Sequence, residues 1–522
     1  METEDRESLQ EEVVAFLKAP ENHEGASEAV RHVTTHVAHV FLTENRAWKM
    51  KRAVAYSFLD FTDLEAREEV CRREVELNRR TAPDIYLGVH SINRSEDGGL
   101  EIDGNGSPVE WVIEMRRFDE DLMFDHLIEQ DRLTREHVVE LVDRVYELHE
   151  QAERLSEPYG GAEGLGNVIE ENAQDMQALS ETFSPEAVAD LTTRSRESLG
   201  HVADLLDRRR ADGWVRQCHG DLHLGNVVLW QGHATPFDCI EFSQRIAGID
   251  VVYDLAYLLM DLVNRGRPDL ANLAMNRYFG RMGQPQALQA LPLMLSVRAA
   301  IRAKVTAAAV EGQDEPEEAE KLAAAAQGFF ALALDFLRPD NRPRLIAVGG
   351  FSGTGKSTLA ARLAPDLGRV PGALQLRSDV IRKRLNDVAP ETKLPAEAYS
   401  PSMNEQVYDT LFSEAETALQ AGHSVIADAV WARPEERNRL QALADAAGAT
   451  FQGVWLEAPR ETLEARVRAR RNDSSDADVS VLEKQLTYDP GNIDWLRLSA
   501  GEGADAVLAV ARDQLDIPDG GA

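Results

Sequence analysis

The chain has 522 residues, with 56 Lys and Arg against 90 Asp and Glu, which gives a formal net charge of -34 at pH 7. At ~150 residues per domain this length predicts two to four domains, and the acidic excess disfavours a wrapper of nucleic acid or a binder of anionic membrane, because both need clustered cations. The three cysteines form no C-x-x-C pair, and neither an apolar signal segment nor a run of 18 apolar residues occurs, so we expect a cytoplasmic protein.

The first 336 residues predict a small β-rich part followed by a larger helix-rich part, an α+β arrangement. The hydrophobic pattern predicts a helix over 9–17, strands over 37–42 and 46–54, a helix over 64–80, a strand over 111–115, mostly helical segments over 127–155 and 184–210, and two strands over 227–230 and 236–238.

The segment His219-Gly-Asp-Leu-His-Leu-Gly-Asn226 has the spacing of a phosphoryl-transfer loop. Such a site needs a carboxylate near the attacking hydroxyl and oxygen ligands for magnesium. The kinase catalytic loop supplies an Asp and, five residues later, an Asn, and Asp221 and Asn226 have this spacing. A magnesium-binding Asp is expected beside the next two strands, where Asp238 lies.

Three segments resemble the aminoglycoside phosphotransferase-like family, a branch of the protein-kinase-like fold; they are 219–226, 237–242 and 249–256. The resemblance covers roughly residues 30–335 and implies a bilobal domain. It also implies that Asp221 is the catalytic base and that Asn226 and Asp238 bind magnesium. The sequence departs from the kinase pattern at 33–37, since Val-Thr-Thr-His-Val stands where a G-x-G-x-x-G loop would cover the phosphates.

The same resemblance implies a lysine that binds the ATP phosphates on the strand Trp48-Lys-Met-Lys51. Strand alternation turns Lys49 and Lys51 to the same side, so the sequence does not choose between them, although we favour Lys49. Their carboxylate partner should come from the helix over 64–80, where Glu74 lies on the buried face and Glu76 does not. The hinge that holds adenine is expected near Glu114 and Met115.

Two prolines within five residues, at 337–343, predict the connection between two domains. We therefore predict a kinase-like domain over 1–336, a linker over 337–343 and an α/β P-loop NTPase domain with a parallel sheet over 344–522. The net charge is -27 before residue 344 and -7 from residue 344 onward, so the acidity belongs mainly to the first domain.

The segment Gly350-Phe-Ser-Gly-Thr-Gly-Lys-Ser357 satisfies G-x-x-x-x-G-K-[ST] in full, between an apolar strand and a helical run. In such a loop the backbone N–H groups approach phosphate, Lys356 reaches the β- and γ-phosphates, and Ser357 binds magnesium. The nucleotide-binding residues predicted here are Gly350, Ser352, Gly353, Thr354, Gly355, Lys356, Ser357 and Thr358.

Four residues beyond this loop are candidates for the chemistry. Asp379 opens a helix after a short strand, where a carboxylate can orient or deprotonate an acceptor hydroxyl. Asp428 ends the apolar strand of 425–428, as a magnesium partner would, although a substrate role fits it nearly as well. Arg466 and Arg470 lie four residues apart on one predicted helix and could stabilise charge on the transferred phosphoryl group, although a solvated charged helix face explains such a pattern too.

The second domain resembles the small P-loop kinases of the zeta-toxin, gluconate-kinase and polynucleotide-kinase type over residues 344 to about 515, with Ser475-Asp-Ala-Asp478 and Gln485 as further similarities. The leading hypothesis is a bifunctional phosphotransferase that uses ATP and Mg2+ in both halves to phosphorylate a hydroxyl of a small molecule. Two alternatives stay open: one half binds nucleotide only to regulate the other, or the second half is a 5′-end nucleic-acid kinase, which its charge of -7 disfavours.

Overall fold

The computed structural model describes residues 3–23, 28–56, 59–313, 315–339, 342–470, 473–501 and 503–518. The chain forms two compact units: the first is Met1–Gly164 with Arg209–Asp254, and the second is Leu165–Arg208 with Leu255–Ala522. The second unit therefore contains helices that precede the P-loop domain in sequence. Residues 340 and 341 of the predicted linker lie outside the described residues, and the domain boundaries given above stay predictions.

The part of the chain before residue 251 contains both strands and helices. Its elements are α1 (Thr3–Lys18), β1 (Arg31–Thr34), β2 (Ala38–Leu42), β3 (Arg46–Lys51), β4 (Ala55–Tyr56), β5 (Leu59–Asp60), α2 (Leu64–Asn78), β6 (Tyr86–Arg94), β7 (Leu100–Ile102), β8 (Ser107–Arg116), α3 (Phe124–Glu129), α4 (Arg135–Gln151), α5 (Gly161–Ala178), α6 (Pro185–Ala211), β9 (Val215–Gln217), β10 (Val227–Trp230), β11 (His233–Pro236), α7 (Gln244–Ala247) and β12 (Gly248–Asp250).

The main sheet of the first unit has six antiparallel strands in the order β1-β2-β3-β8-β6-β7. Because side chains alternate along each strand, the sheet buries apolar residues on both faces. On one face Ile113 belongs to a cluster with Val75 of α2, and on the other Trp48 belongs to a cluster with Leu17 of α1. This packing fixes β3, the strand that carries Lys49, between its two neighbours.

One predicted helical segment, 127–155, is interrupted in the structure. Helix α3 ends at Glu129 and α4 begins at Arg135. Thr134 caps α4, because its side chain accepts a hydrogen bond from His137 N. Asp131, in the break, has a left-handed backbone with φ of +54°. A local cap of this kind competes with a continuous helix, so periodicity over the whole segment did not reveal the break.

The part of the chain after residue 250 holds five further strands and most of the helices. Its elements are α8 (Val251–Asn264), α9 (Pro268–Met282), α10 (Leu291–Ala308), α11 (Pro316–Phe336), β13 (Arg344–Gly349), α12 (Lys356–Leu363), β14 (Leu374–Arg377), α13 (Ser378–Leu385), α14 (Pro401–Gln420), β15 (Val425–Asp428), α15 (Pro434–Ala446), β16 (Thr450–Glu457), α16 (Arg460–Ala469), α17 (Val479–Gln485), β17 (Leu496–Ser499) and α18 (Ala504–Leu515).

The sheet of the second unit has five parallel strands in the order β14-β15-β13-β16-β17. Its central strand β13 is apolar and buried from Leu345 to Gly349, as expected for a strand covered on both faces. The parallel arrangement brings the carboxyl ends of β13, β14 and β15 to one edge, where ligands bind in open α/β sheets. Among the described residues, no helix is both long and apolar enough to cross a membrane.

A buried histidine in this unit makes its stability dependent on pH. His423 is fully enclosed, with Nε2 2.9 Å from Gly372 O, and burial lowers its pKa to about 4. The unfolded chain therefore binds a proton that the folded chain does not between pH 6.5 and 4. The contribution of neutral His423 to the free energy of unfolding is fully present above pH 6.5 and is lost as the pH falls toward 4. The loss between pH 7.5 and pH 5 is about 2 kcal/mol.

Urea unfolding of the second unit at these two pH values measures the effect. The wild-type chain should lose about 2 kcal/mol more stability at pH 5 than the His423→Asn variant does, after both are compared with their own values at pH 7.5. Equal losses in the two proteins would contradict this assignment.

Candidate active sites

The buried carboxylate of Asp254 fixes the loop that carries Asp221. Asp254 accepts hydrogen bonds from His219 N at 3.0 Å and from Gly220 N at 2.9 Å, and His149 Nε2 lies 3.0 Å from the same carboxylate. Gly220 has φ of +85°, and a Cβ there would lie 3.0 Å from Ile240. The loop therefore needs glycine at this position to adopt the backbone conformation that precedes Asp221.

Asp221 and Asn226 contact each other directly. Asn226 Nδ2 donates to Asp221 Oδ2 at 2.9 Å and to Asp221 O at 3.0 Å. This fixes the Asp221 carboxylate and leaves the amide oxygen of Asn226 as the atom that can bind a metal ion. His223 Nε2 lies 3.4 Å from Asp221 Oδ2, a contact that the spacing argument did not identify.

Asp238 lies just beyond β11, which ends at Pro236, and not within a strand as the sequence predicted. Its backbone is left-handed, with φ of +60°, a conformation that Asp tolerates better than most residues. Its Oδ1 accepts a hydrogen bond from Lys49 Nζ at 2.6 Å. Burial raises the pKa of Asp238, but the ammonium groups of Lys49 and Lys51 together outweigh burial, so the pKa falls below its usual value and the carboxylate stays charged.

The structure separates the two lysines that the sequence left equivalent. Lys49 Nζ contacts Glu74 Oε1 at 2.8 Å as well as Asp238. Lys51 Nζ contacts the other oxygen of Glu74 at 2.5 Å and Glu241 Oε1 at 2.6 Å. Lys49 is thus the lysine beside the candidate metal ligand, while Lys51, buried with 2 % of its side chain exposed, ties Glu74 to Glu241.

Glu74 is the bridge of this network, and its loss should destabilise the first unit. Its side chain is 0 % exposed and pairs with two ammonium groups. Glu74→Ala leaves both cations without this partner in a buried site, which costs about 3–5 kcal/mol of unfolding free energy. Urea unfolding checks this, with Glu76→Ala on the same helix as the control. Glu76 is 69 % exposed, and its replacement should change stability by no more than about 0.5 kcal/mol.

The predicted hinge residues face opposite sides of the sheet. Met115 belongs to the buried cluster that includes Phe237, one residue before Asp238. Glu114 points to the other face, where its carboxylate pairs with Arg46 Nε at 2.7 Å and with His90 Nε2 at 3.3 Å. The Glu114 side chain is therefore separated from the face that carries Lys49, so only its backbone could contact adenine.

The P-loop of the second unit connects β13 to α12. Gly355 caps α12 with φ of +90°, and Gly353 has φ of +87°, where a Cβ would lie 2.7 Å from Leu463 O. Ser352 N donates to Gln485 Oε1 at 2.8 Å, and Thr354 Oγ1 donates to Phe351 O at 2.8 Å. These contacts fix the loop, whose N–H groups, with the N-terminus of α12, can bind an anion. Of the remaining predicted binding residues, Gly350 has φ of +135° and Thr358 is exposed.

The half-buried Lys356 and the buried Asp428 lie near each other in this site. Lys356 Nζ donates to Phe351 O at 3.1 Å. Burial lowers the pKa of Lys356, and the nearby Asp428 and Asp379 carboxylates offset part of that shift. Burial also raises the pKa of Asp428, which accepts a hydrogen bond from the Ser357 hydroxyl. A hydroxyl oxygen next to a carboxylate is a donor set that fits Mg2+.

The end of β14 and the start of α13 form the side of the site where the sequence predicts the acceptor. Arg377, the last residue of β14, places Nη2 3.2 Å from Asp473 Oδ1 and Nε 3.5 Å from Asp428 Oδ2. Asp379 is the second residue of α13, near Lys356. Gln375 was missed by the sequence argument: its Nε2 lies 3.4 Å from Asp428 Oδ2. A polar residue within the apolar run Leu374-Gln-Leu376 was the signal that could have revealed it.

Arg466 and Arg470 do not share a helix, so their predicted placement on one helix is wrong. Helix α16 ends at Ala469, and Arg470 follows it with extended backbone angles. Arg466 Nη1 donates to Gly353 O at 3.4 Å, and Arg470 Nε lies 3.6 Å from Asp473 Oδ2. Both guanidinium groups still reach the site, but Arg470 does so from a loop, because the helix stops one residue earlier than the pattern suggested.

The second of these sites lies within a region that matches a known family. Residues 345–489 match the family model described as "AAA domain". The C-terminal part carries an AAA domain. The match contains the P-loop, both carboxylates and both arginines of the second site. Together with the element order described above, it confirms the predicted α/β P-loop part with a parallel sheet, which follows an α+β part.

Relatives span nearly the whole chain. "Uncharacterized protein Rv2004c" of Mycobacterium tuberculosis (strain ATCC 25618 / H37Rv) is 28% identical over 469 residues, which are 88% of this chain and 90% of that protein. Solved structures similar to parts of the chain include a choline/ethanolamine kinase family protein from Mesorhizobium loti, at 14% identity and a TM-score of 0.39, covering 63% of this chain and 95% of that one. A sugar kinase from Janibacter sp. HTCC2649 has 20% identity and a TM-score of 0.26, covering 34% of this chain and 95% of that one.

Proposed function

We propose that the protein is a bifunctional phosphotransferase in which each half transfers the γ-phosphoryl group of MgATP to a hydroxyl of a small molecule. One observation carries the proposal: the chain holds two separate sets of groups, each with a lysine for the phosphates, a carboxylate for the acceptor and oxygen ligands for a metal ion. In phosphoryl transfer the protein contributes mainly positioning and charge, and these sets supply both.

At the first site, Asp221 accepts the proton of the acceptor hydroxyl. The oxygen of that hydroxyl forms the new bond to the γ-phosphorus, and ADP leaves. Asn226 holds the Asp221 carboxylate in place. Lys49, oriented by Glu74, neutralises phosphate charge. Asn226 and Asp238 would hold Mg2+, which supplies positive charge to the β- and γ-phosphate oxygens when bound.

At the second site, the N–H groups of the P-loop and the start of α12 surround the phosphates, and Lys356 neutralises the β- and γ-phosphates. Ser357 and Asp428 would hold Mg2+. Arg466 and Arg470 approach from α16 and the loop after it, where guanidinium groups stabilise charge on the transferred group. Asp379 orients the acceptor hydroxyl and accepts its proton.

The acceptors are proposed to be small molecules, since each site is a set of buried or half-buried groups and not an extended basic surface. The net charge of -34 also disfavours nucleic acid as the acceptor. The three cysteines are free and buried, which is compatible with a reducing compartment that contains ATP, so we place the protein in the cytoplasm.

The test is a search for phosphorylated products in a cell extract incubated with the full-length protein and MgATP. Mass spectrometry should find compounds that gain one phosphoryl group. The proposal expects one set of products to disappear with Asp221→Asn and a different set with Lys356→Ala. Products lost in only one variant would indicate that the other half is regulatory, and turnover unchanged in both would overturn the proposal. An oligonucleotide that gains a 5′-phosphate would identify a nucleic-acid kinase instead.

A further inference from the structure

The second compact unit contains an unusual contact between helix α9 and the sheet that carries the P-loop. Strand β14 is at one end of the strand order, and β15 is its neighbour in the sheet. On the outer side of β14, Asn276 Oδ1 accepts a hydrogen bond from Gln375 N at 2.6 Å, and Asn276 Nδ2 donates to Ala373 O at 3.1 Å. One side-chain amide thus makes the two hydrogen bonds that a neighbouring strand would make.

A second amide holds Asn276 in this position. Asn276 Nδ2 also lies 3.0 Å from Asn272 Oδ1, one helical turn earlier, and Asn272 Nδ2 donates to Ala373 O at 3.1 Å. Asn272 is buried, with 3 % of its surface exposed. Asn276 is half-buried. Burying polar amides is costly unless their hydrogen-bond partners are in place, so this pair specifies one position of β14 against α9.

Helix α9 also contacts α13, the helix that begins with Asp379. Arg384 Nη1 donates to Gly280 O at 3.0 Å. At the end of α9, Gly283 has φ of +66°, and a Cβ there would lie 2.8 Å from the Arg384 guanidinium. The helix therefore lies against both elements that form the acceptor side of the P-loop site.

The strand residue that Asn276 holds is also in contact with the candidate metal site. Gln375 Nε2 lies 3.4 Å from Asp428 Oδ2 and 3.5 Å from Ser357 O. A single residue therefore separates the amide of Asn276 from the pair that would bind Mg2+. A shift of β14 would move Gln375 away from Asp428.

We propose that Asn276, supported by Asn272, is a positioning residue of the P-loop site. It fixes β14 so that Gln375 contacts Asp428 and α13 presents Asp379. The P-loop site is then completed by a helix that lies outside residues 344–522. The role in phosphoryl transfer rests on the function proposed above, whereas the effect on β14 and on Mg2+-dependent nucleotide binding does not require transfer.

The test uses the full-length chain with Asn276→Ala and, as a matched control, Asn264→Ala, which replaces an exposed Asn at the end of α8. Hydrogen exchange measured by mass spectrometry should become at least about fivefold faster in the peptide covering 373–379, because two hydrogen bonds to this segment are lost. The peptide covering β13 should not change. Calorimetry measures ADP affinity with and without Mg2+, and Lys49→Met is present in both the parent and the Asn276→Ala protein to weaken the first site. The gain in ADP affinity on adding Mg2+ should be about tenfold smaller in the Asn276→Ala protein.

Unchanged exchange over 373–379, or an unchanged effect of Mg2+ on ADP affinity, would overturn the proposal. Faster exchange in both 373–379 and β13 would also overturn it, since it would show general destabilisation and not positioning. Asn276→Asp provides a second variant of the same size: its carboxylate can accept from Gln375 N but cannot donate to Ala373 O, so exchange should again rise. Neither hydrogen exchange nor ADP affinity requires an acceptor. Absence of transfer in the wild-type chain would therefore contradict the proposed function, while these two measurements would still test the role of Asn276.

Discussion

Replacing Asp221 with Asn should lower transfer at the first site by about 10³-fold, within the range that a positioned general base contributes. Asn has nearly the same shape and can still accept the hydrogen bond from Asn226, so the loop should keep its structure. What is lost is the group that takes the acceptor proton. The binding of ATP should change little, because Lys49 and Asp238 remain.

The measurement is transfer of labelled phosphate to a cell extract, with Lys356→Ala present in both proteins so that only the first site contributes. Asp84→Asn, at an exposed position of the same unit, is the control and should leave the rate unchanged. A rate within threefold of the parent for Asp221→Asn would show that Asp221 is not the base. The assignment of the first site would then fail.

The second large effect is expected at the P-loop. Lys356→Ala should lower turnover at the second site by about 10²–10³-fold, the loss typical of removing one preorganised group that stabilises transition-state charge. Lys356 is half-buried, and burial lowers its pKa, so its removal should not destabilise the fold. Stability should therefore stay near the parental value while turnover falls.

This variant is measured in an Asp221→Asn background, and urea unfolding is recorded in parallel. Lys321→Ala is the matched control, because Lys321 lies on α11 with 69 % of its side chain exposed. Equal turnover for Lys356→Ala and Lys321→Ala would mean that the P-loop binds nucleotide without transferring phosphate. That outcome would favour the regulatory alternative for the second half.

The contiguous parts of both sites could be predicted from the sequence. The P-loop is eight consecutive residues, and its chemistry depends on local backbone geometry, so the motif identified all of it. Asp221 and Asn226 are five residues apart on one loop, and Glu74 follows from helical periodicity. In each case the interacting atoms are placed by local structure.

The remaining parts depend on contacts between distant segments. Lys49 and Lys51 share one strand face, and only Asp238 and Glu241, about 190 residues away, distinguish them. Arg470 reaches its site from a loop because α16 ends at Ala469, and helix ends are the least certain part of a periodic pattern. Gln375 and Asn276 belong to no motif, since an amide gains its role only from the atoms packed against it.

The amide contact on β14 has a consequence for any attempt to divide this chain. Asn276 occupies the outer N–H and C=O groups of an edge strand, the groups through which sheets of separate molecules pair and aggregate. A fragment that begins near residue 344 would lose α9 and expose that edge. We expect such a fragment to self-associate through β14, so the helix protects solubility as well as geometry.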